Sequence, residues 1–196
     1  MPSLADQKAA LRKTILARRN ALGEADRIEM SLQAAEVARE VPELNADHLI
    51  PGTVVSGFLP IRSEIDARPL LFELGQRGAR LCLPVVISKT EIEFREMVRG
   101  EPLVESGFGT VGPGESAAVL DPQILLMPLS VFDSRGGRIG YGGGYYDRAI
   151  ERLQGKDIKP RLIGIAFSVQ EVEEVPMEGH DRFLDGIITE NGYRSF

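Results

Sequence analysis

The sequence predicts an α/β fold, a mostly parallel sheet flanked by helices and preceded by a pair of helices, and three observations carry that prediction. Short apolar runs, TVVSGF, RLCLPVV, QILLMPL, RLIGIAF and DGIIT, have the length and composition of buried strands. Helix-like stretches fall between several of them, RPLLFELGQ after the first and YYDRAIERLQ after QILLMPL, which is the alternation of a parallel sheet. The first forty or so residues, by contrast, carry helical periodicity and no strand pattern.

Taken in order, Ser3 is placed as an N-cap, and Leu4, Leu11, Ile15 and Leu22 recur at helical spacing until Gly23, which suits a stop. A second helix is predicted over residues 24 to about 39 with Ile28, Leu32 and Ala35 on its apolar face, ending before Pro42 and the turn at Pro51 and Gly52. IEFREM reads as an extra strand outside the βα alternation. The glycine-rich stretch GEPLVESGFGTVGPGES has no periodicity and is expected to be either a surface excursion or a cover over a site. With 196 residues, 43% of them hydrophobic, and no repeat or dividing linker, one domain over 1–196 is expected.

Composition narrows the function. A net charge of −6 argues against a nucleic-acid or anionic-lipid platform, although Lys8, Arg12, Lys13, Arg18 and Arg19 gather in the first twenty residues against Asp6 alone. The absence of a long apolar run and of a signal-like start predicts no membrane association and a cytoplasmic protein. Cys82, the one cysteine, is expected to pack as a small hydrophobe inside LCLPVVI, and His48 and His180 lack the context of a catalytic triad or a metal site.

The chemistry concentrates in RIGYGGGYYD, residues 138–147. An apolar strand at 124–128 leads through Phe132, Asp133 and the Arg135-Gly136-Gly137 turn to Gly140, Gly142, Gly143 and Gly144, and a helix begins near Tyr145. Backbone N–H groups at a helix N-terminus bind anions, and glycines let the main chain approach a phosphate. A dinucleotide fingerprint from Gly140 requires glycine at Tyr145, and a Walker A loop requires Lys followed by Ser or Thr, so neither motif applies. Glycine clusters also make plain turns. Against that reading, Arg138 and Asp147 bracket the cluster with a cation suited to phosphate and a carboxylate suited to Mg²⁺. Asp147 alone is equally a first-turn acid on a helix dipole.

DSRGGRIGYGGGYYDR resembles the signature of the 5-formyltetrahydrofolate cyclo-ligase family, D-x-x-G-x-R-[LI]-G-x-G-x-G-Y-Y-D, with matches at Asp133, Gly136, Arg138, Ile139, Gly140, Gly142, Gly144, Tyr145, Tyr146 and Asp147. Lys8, Leu11 and Arg12 resemble the family's K-x-x-L-R, FLPIRSEIDARPL resembles its strand-end motif with Glu64, and VPMEGHDRFLD its closing acidic motif. Leu129 departs from the pattern, where glycine is expected after Pro128.

The resemblance implies a NagB/RpiA/CoA transferase-like fold and an ATP- and Mg²⁺-dependent cyclisation of 5-formyltetrahydrofolate to 5,10-methenyltetrahydrofolate. It implies ATP binding by Lys8, Arg12, Arg138, Ile139, Gly140, Tyr141, Gly142, Gly143, Gly144, Tyr145 and Tyr146, with Arg138 and Tyr145 as catalytic side chains. The folate falls to Leu59, Glu64 and the 141–145 segment, and Mg²⁺ to Asp147 and Asp181, with Asp185 a rival for the second. No nucleic acid or membrane partner is implied, and a monomer is expected. The residues alone leave other readings open. Lys8 and Arg12, four apart, also describe a solvated helix face, Glu64 a helix-start acid, and Tyr146 a core aromatic whose hydroxyl finds a partner. A sugar-phosphate isomerase or acyl-CoA transferase on related architecture, and a binding module using the basic N-terminal helix, are the competing functions.

Overall fold

The computed structural model describes residues 3–107, 109–179 and 181–196. Helix α1, Leu4–Asn20, starts where the cap predicts: the Asp6 N–H donates to Ser3 Oγ at 3.2 Å and the Ser3 N–H donates to the Asp6 carboxylate at 3.1 Å. This reciprocal pair satisfies two donors that a helix start would otherwise leave unpaired. Helix α2, Glu24–Val37, continues into a 3-10 turn at Ala38–Glu40.

The main sheet contains β1 Val54–Ser56, β2 Arg80–Val86, β3 Ile92–Glu96, β6 Ile124–Pro128, β9 Arg161–Ile165, β11 Gly186–Thr189 and β12 Gly192–Ser195, in the order β12-β11-β9-β6-β1-β2-β3. The inner strands β11, β9, β6, β1 and β2 are parallel, whereas β3 and β12 close the two edges antiparallel. Helix α3, Arg68–Gln76, joins β1 to β2, and α4, Tyr145–Gln154, precedes β9. Alternate residues of β6 serve opposite faces, as the period of a strand requires. Ile124 and Leu126 join the core that includes Leu70, Leu71 and Leu74 of α3 and Ala34 of α2, while Leu125 and Met127 pack with Ala149, Ile150 and Leu153 of α4. Among the described residues no helix is long and apolar enough to cross a membrane.

Three sequence expectations need correction. The buried face of α2 is Ser31 and Ala34, while Ile28 and Leu32 are 58% and 52% exposed. Small residues let this face approach closely, and the Ser31 hydroxyl is satisfied by donating to the Arg27 carbonyl and accepting the Asp66 N–H. α1 and α2 also serve different parts of the body: α2 packs on α3, β11 and β12, and α1 on the 3-10 turn Ser168–Gln170 and on β7, Val131–Asp133. The glycine-rich stretch from 100 is a hairpin, β4 Leu103–Ser106 and β5 Thr110–Pro113. Its Leu103, Val104 and Val111 are exposed, so burial never alternated strongly enough to mark strands. The hairpin docks through Ser106 Oγ, which accepts the Val86 N–H at 2.9 Å, and through Gly112, where a Cβ would come within 2.8 Å of Val85.

Strand β7 pairs with β8, Arg138–Ile139, and with β10, Glu171–Val172, in a small second sheet. Cys82 is fully buried, and burial pushes its thiol up to about 12, in keeping with a packing role. Leu129 is likewise buried and lies outside the left-handed region. Its side chain occupies space that Gly164 leaves, since a Cβ at Gly164 would meet Leu129 Cδ2 at 2.7 Å.

Candidate active site

The sheet order itself selects a place for a site. From β1 the chain moves to β2 on one side and later returns with β6 on the other, so the carboxyl ends of β1 and β6 splay their following loops apart. Such switch points are where open α/β sheets hold ligands. The loop after β1 carries Phe58 to Glu64, and the segment after β6 leads into the glycine-rich run. Between them lies a cavity of about 1170 Å³. Lys8, Arg12, Leu59, Glu64, Arg138, Ile139, Gly140, Tyr141, Gly142, Gly143, Gly144, Tyr145, Tyr146, Asp147 and Asp181 all line it, so of the candidate site residues only the rival metal ligand Asp185 stays off the wall.

The glycine loop is built on a buried carboxylate. Asp133, with no exposed surface, accepts the N–H groups of Arg135, Gly137 and Val175 at 2.8 to 2.9 Å and pairs with the Arg135 guanidinium at 2.9 Å. Burial works against its charge, but these donors hold its carboxyl below the usual range. Asp133 thus fixes the β7–β8 turn that aims Arg138 at the cavity. Beyond it, Gly142 and Gly144 take φ of 97° and 63°, a region that side chains rarely adopt, and Gly144 caps α4. Gly140 differs: its φ is not positive and a Cβ there would meet no heavy atom within 4 Å. Neither backbone strain nor protein packing demands glycine at 140, which leaves room for close approach from the cavity.

Cations and carboxylates interleave around this loop. Arg138 Nη2 donates to Asp147 Oδ1 at 2.6 Å, and Arg138 Nε is buried without a partner among the described residues. Lys8 Nζ contacts Asp181 Oδ2 at 2.5 Å and Glu178 Oε2 at 2.7 Å; burial opposes its charge, yet the two acids hold its pKa above the ordinary lysine value. Arg12 Nε donates to the Gly140 carbonyl at 2.8 Å, so this side chain grips the loop itself. Lys8 and Arg12 are therefore directed inward from α1 and are not a solvated face. The first-turn N–H groups of α4 and its dipole add positive potential at the same end.

Glu64 and the three tyrosines complete the wall. Glu64 is buried; its Oε2 accepts the Ile61 N–H at 2.9 Å, and the Tyr141 hydroxyl is its other neutral donor among the described residues. Burial raises its pKa against the pull of Ile61, the nearby Tyr141 hydroxyl, Arg19 and Arg62. The Tyr141 phenol is pushed up to about 12 by burial and by Glu64, and stays neutral. Tyr145 donates from its hydroxyl to the Lys89 carbonyl at 3.0 Å, with the Arg148 guanidinium over its ring. The Tyr146 hydroxyl is buried without a protein partner among the described residues, contrary to the expectation for a core aromatic.

Asp185 is not on the cavity wall. Its Oδ2 accepts the Leu162 N–H at 2.7 Å and its Oδ1 pairs with Arg161, which ties β9 to β11. His48 is exposed and also absent from the wall, and His180 lies outside the described residues. Sequence reasoning missed Glu178 and Arg148, which line the cavity, and reached Thr110 and Val111 only as part of the glycine-rich stretch expected to be a surface excursion or a cover over a site. Glu178 is present in the closing motif, but nothing in its spacing pointed to Lys8.

Fold and cavity together define an α/β protein with a glycine-rich loop entering a helix N-terminus at a switch point, surrounded by paired cations and carboxylates. The sequence model of the 5-formyltetrahydrofolate cyclo-ligase family matches residues 5–190, and the chain belongs to that family. It is 32% identical over 178 residues to the 5-formyltetrahydrofolate cyclo-ligase of Escherichia coli strain K12, covering 88% of this chain and 94% of that one. Among solved structures, the 5,10-methenyltetrahydrofolate synthetase of Aquifex aeolicus superposes with a TM-score of 0.79 at 29% identity, over 96% of this chain and 92% of the other. The synthetase of Mycoplasma pneumoniae gives a TM-score of 0.72 at 27% identity, over 93% and 98%.

Proposed function

We propose that this chain catalyses the ATP-dependent cyclisation of 5-formyltetrahydrofolate to 5,10-methenyltetrahydrofolate, releasing ADP and phosphate. A formamide carbonyl is a poor electrophile. The formyl oxygen takes the γ-phosphoryl group as ADP departs, N10 attacks the activated carbon and gives up its proton, and the C–O bond breaks so that phosphate leaves with the formyl oxygen. Phosphoryl transfer of this kind depends on positioning and charge stabilisation, with no covalent nucleophile from the protein.

The observation that carries the reading is the cavity wall. Residues from four separated stretches of chain, which the family resemblance divides between nucleotide, folate and metal, meet around one space. In this account Lys8, Arg12, Arg138 and the amides from Gly140 to Tyr146 hold the triphosphate, with Arg138 and Tyr145 nearest the transferring group. Leu59 and Glu64 receive the pterin, whose donor edge suits a carboxylate, and the 141–145 segment touches both substrates.

Among the described residues no group of three or more acidic, histidine or cysteine side chains stands ready for a metal. Mg²⁺ nevertheless suits the donors present, because it is commonly held by one or two carboxylates together with substrate phosphates and water. Asp147 and Asp181, both on the wall, would hold it, and it would supply charge neutralisation of the phosphates. The same reading takes 1–196 as a single domain of NagB/RpiA/CoA transferase-like fold, acting as a cytoplasmic monomer on small molecules without nucleic acid or membrane.

The test is to incubate the purified chain with 5-formyltetrahydrofolate, Mg²⁺ and ATP and follow the near-ultraviolet absorbance of the methenyl product. The expected result is product formation that requires ATP and is matched by equimolar ADP. Absence of an ATP-dependent product would remove the reading.

A further inference from the structure

Lys8, Arg12, Ile15 and Arg19 fall at i, i+4, i+7 and i+11 of α1 and so share one stripe directed into the body. The first two reach the cavity wall. Arg19 does not line the cavity and is only 1% exposed, which is an expensive place for a guanidinium unless its geometry is used. Its Nε donates to Ser63 Oγ at 3.0 Å, and its Nη2 donates to the Tyr141 hydroxyl at 2.9 Å, with the guanidinium carbon 5.9 Å from the centre of the Tyr141 ring. Ser63 is in turn bonded to Asn20, at the end of α1. Ser63 immediately precedes Glu64 in the loop after β1, and Tyr141 belongs to the glycine loop. From behind the wall, one side chain therefore fastens both loops that border the folate end. The nucleotide side of the glycine loop has a separate fastening, Arg12 to the Gly140 carbonyl.

We propose that Arg19 is a positioning residue for the folate end of the cavity: by holding the Ser63 and Tyr141 hydroxyls together, it sets the gap between Glu64 and the glycine loop in which the pterin fits. This rests on the folate reading of Glu64 given above. It separates the work of the α1 cations, with Lys8 and Arg12 serving the triphosphate and Arg19 serving the second substrate without touching it. The charge of Arg19 also favours the ionised form of Glu64, which Arg62 faces from its own loop, Tyr141 from the glycine loop and Tyr146 from α4.

The experiment compares Arg19→Met, Arg19→Lys, Tyr141→Phe and the Arg19→Met/Tyr141→Phe double variant in steady-state kinetics with each substrate varied. Arg19→Met is expected to raise KM for 5-formyltetrahydrofolate roughly tenfold, the cost of a charged hydrogen bond, while KM for ATP stays within about twofold. The acid limb of kcat/KM for the folate should move to higher pH, since Glu64 loses a positive neighbour. Arg19→Lys restores the acid limb but only part of the KM, because a lysine cannot grip two hydroxyls with a rigid fork. Tyr141→Phe keeps the ring, raises the same KM by a smaller factor, and adds little on top of Arg19→Met. Equal changes in both KM values, additive effects in the double variant, or a lowered Tm with unchanged kinetic constants would each overturn the proposal. Should Arg19→Met fail to fold, Tyr141→Phe and Ser63→Ala decide by the same split between the two KM values. A wild-type chain that makes no methenyl product removes the parent reading and this one with it. Wild-type activity with unaltered folate KM in the variants removes this one alone.

Discussion

The two ends of the cavity treat their carboxylates in opposite ways. At the α4 end the two candidate metal ligands each have a cation within hydrogen-bond distance, Asp147 with Arg138 at 2.6 Å and Asp181 with Lys8 at 2.5 Å. At the other end Glu64 is buried, held by the Ile61 N–H and the Tyr141 hydroxyl with no ion pair among the described residues, and burial raises its pKa. The difference teaches what each end is organised to do. On the proposed function, a polyanion arriving with a divalent cation would take the two sets of partners apart, phosphate to Lys8 and Arg138, metal to Asp147 and Asp181. A buried carboxylate held by neutral donors without an ion pair instead lowers the stability of the folded chain and can gain a further donor when a ligand binds, a common arrangement at functional sites.

The comparison breaks most severely at Arg138. Arg138→Leu leaves Asp147 without its cation and removes a phosphate contact, so kcat/KM for ATP should fall on the order of 10²- to 10³-fold with folate binding by calorimetry little changed. Asp147→Asn should lower turnover and raise the Mg²⁺ concentration for half-maximal rate by at least the roughly 10- to 100-fold that loss of an outer-shell partner costs. Asp185→Asn, which alters the β9–β11 tie instead, should lower Tm and leave that Mg²⁺ requirement unchanged. A Mg²⁺ titration of both variants checks the pair.

At the unpaired end, Glu64→Gln should raise KM for the folate about tenfold while raising Tm. The sign follows from the raised pKa: the folded state favours the protonated acid, so this stability contribution is present below the unfolded pKa and is lost as pH rises through the folded one. The wild-type chain should accordingly gain stability relative to Glu64→Gln as pH falls through the carboxylate range, and thermal melts at several pH values measure it.

The smallest expected effect separates ligand-directed from fold-directed glycines. Gly140→Ala meets no protein atom within 4 Å and should change stability by less than about 0.5 kcal/mol while weakening ATP binding. Gly142→Ala, at a φ of 97°, should cost about 1 kcal/mol in a denaturant melt as well.

Much of this was legible in the chain. The Ser3 cap, the buried strands and α4 follow from local patterns that the fold does not overrule, and the glycine loop declares its backbone needs in its own letters. The rest depended on tertiary partners. Ser31 is buried because Asp66 and Arg27 satisfy it, so a periodicity of apolar letters chose the wrong face of α2. The β4–β5 hairpin exposes its valines and so hides its period. Asp181 and Asp185 look alike in sequence and differ in their tertiary partners, Lys8 for the first and the Leu162 N–H with Arg161 for the second. Arg19 was one more basic residue in a basic helix until Ser63 and Tyr141 were found against it.

The central claim is that this cavity is where an ATP γ-phosphoryl group meets a formyl oxygen, and isotope tracing tests it most directly. With the formyl oxygen of 5-formyltetrahydrofolate labelled with ¹⁸O, a turnover with ATP and Mg²⁺ should place one labelled oxygen in the inorganic phosphate for each methenyl product formed. Product formed with unlabelled phosphate, the label appearing in water, would contradict the account.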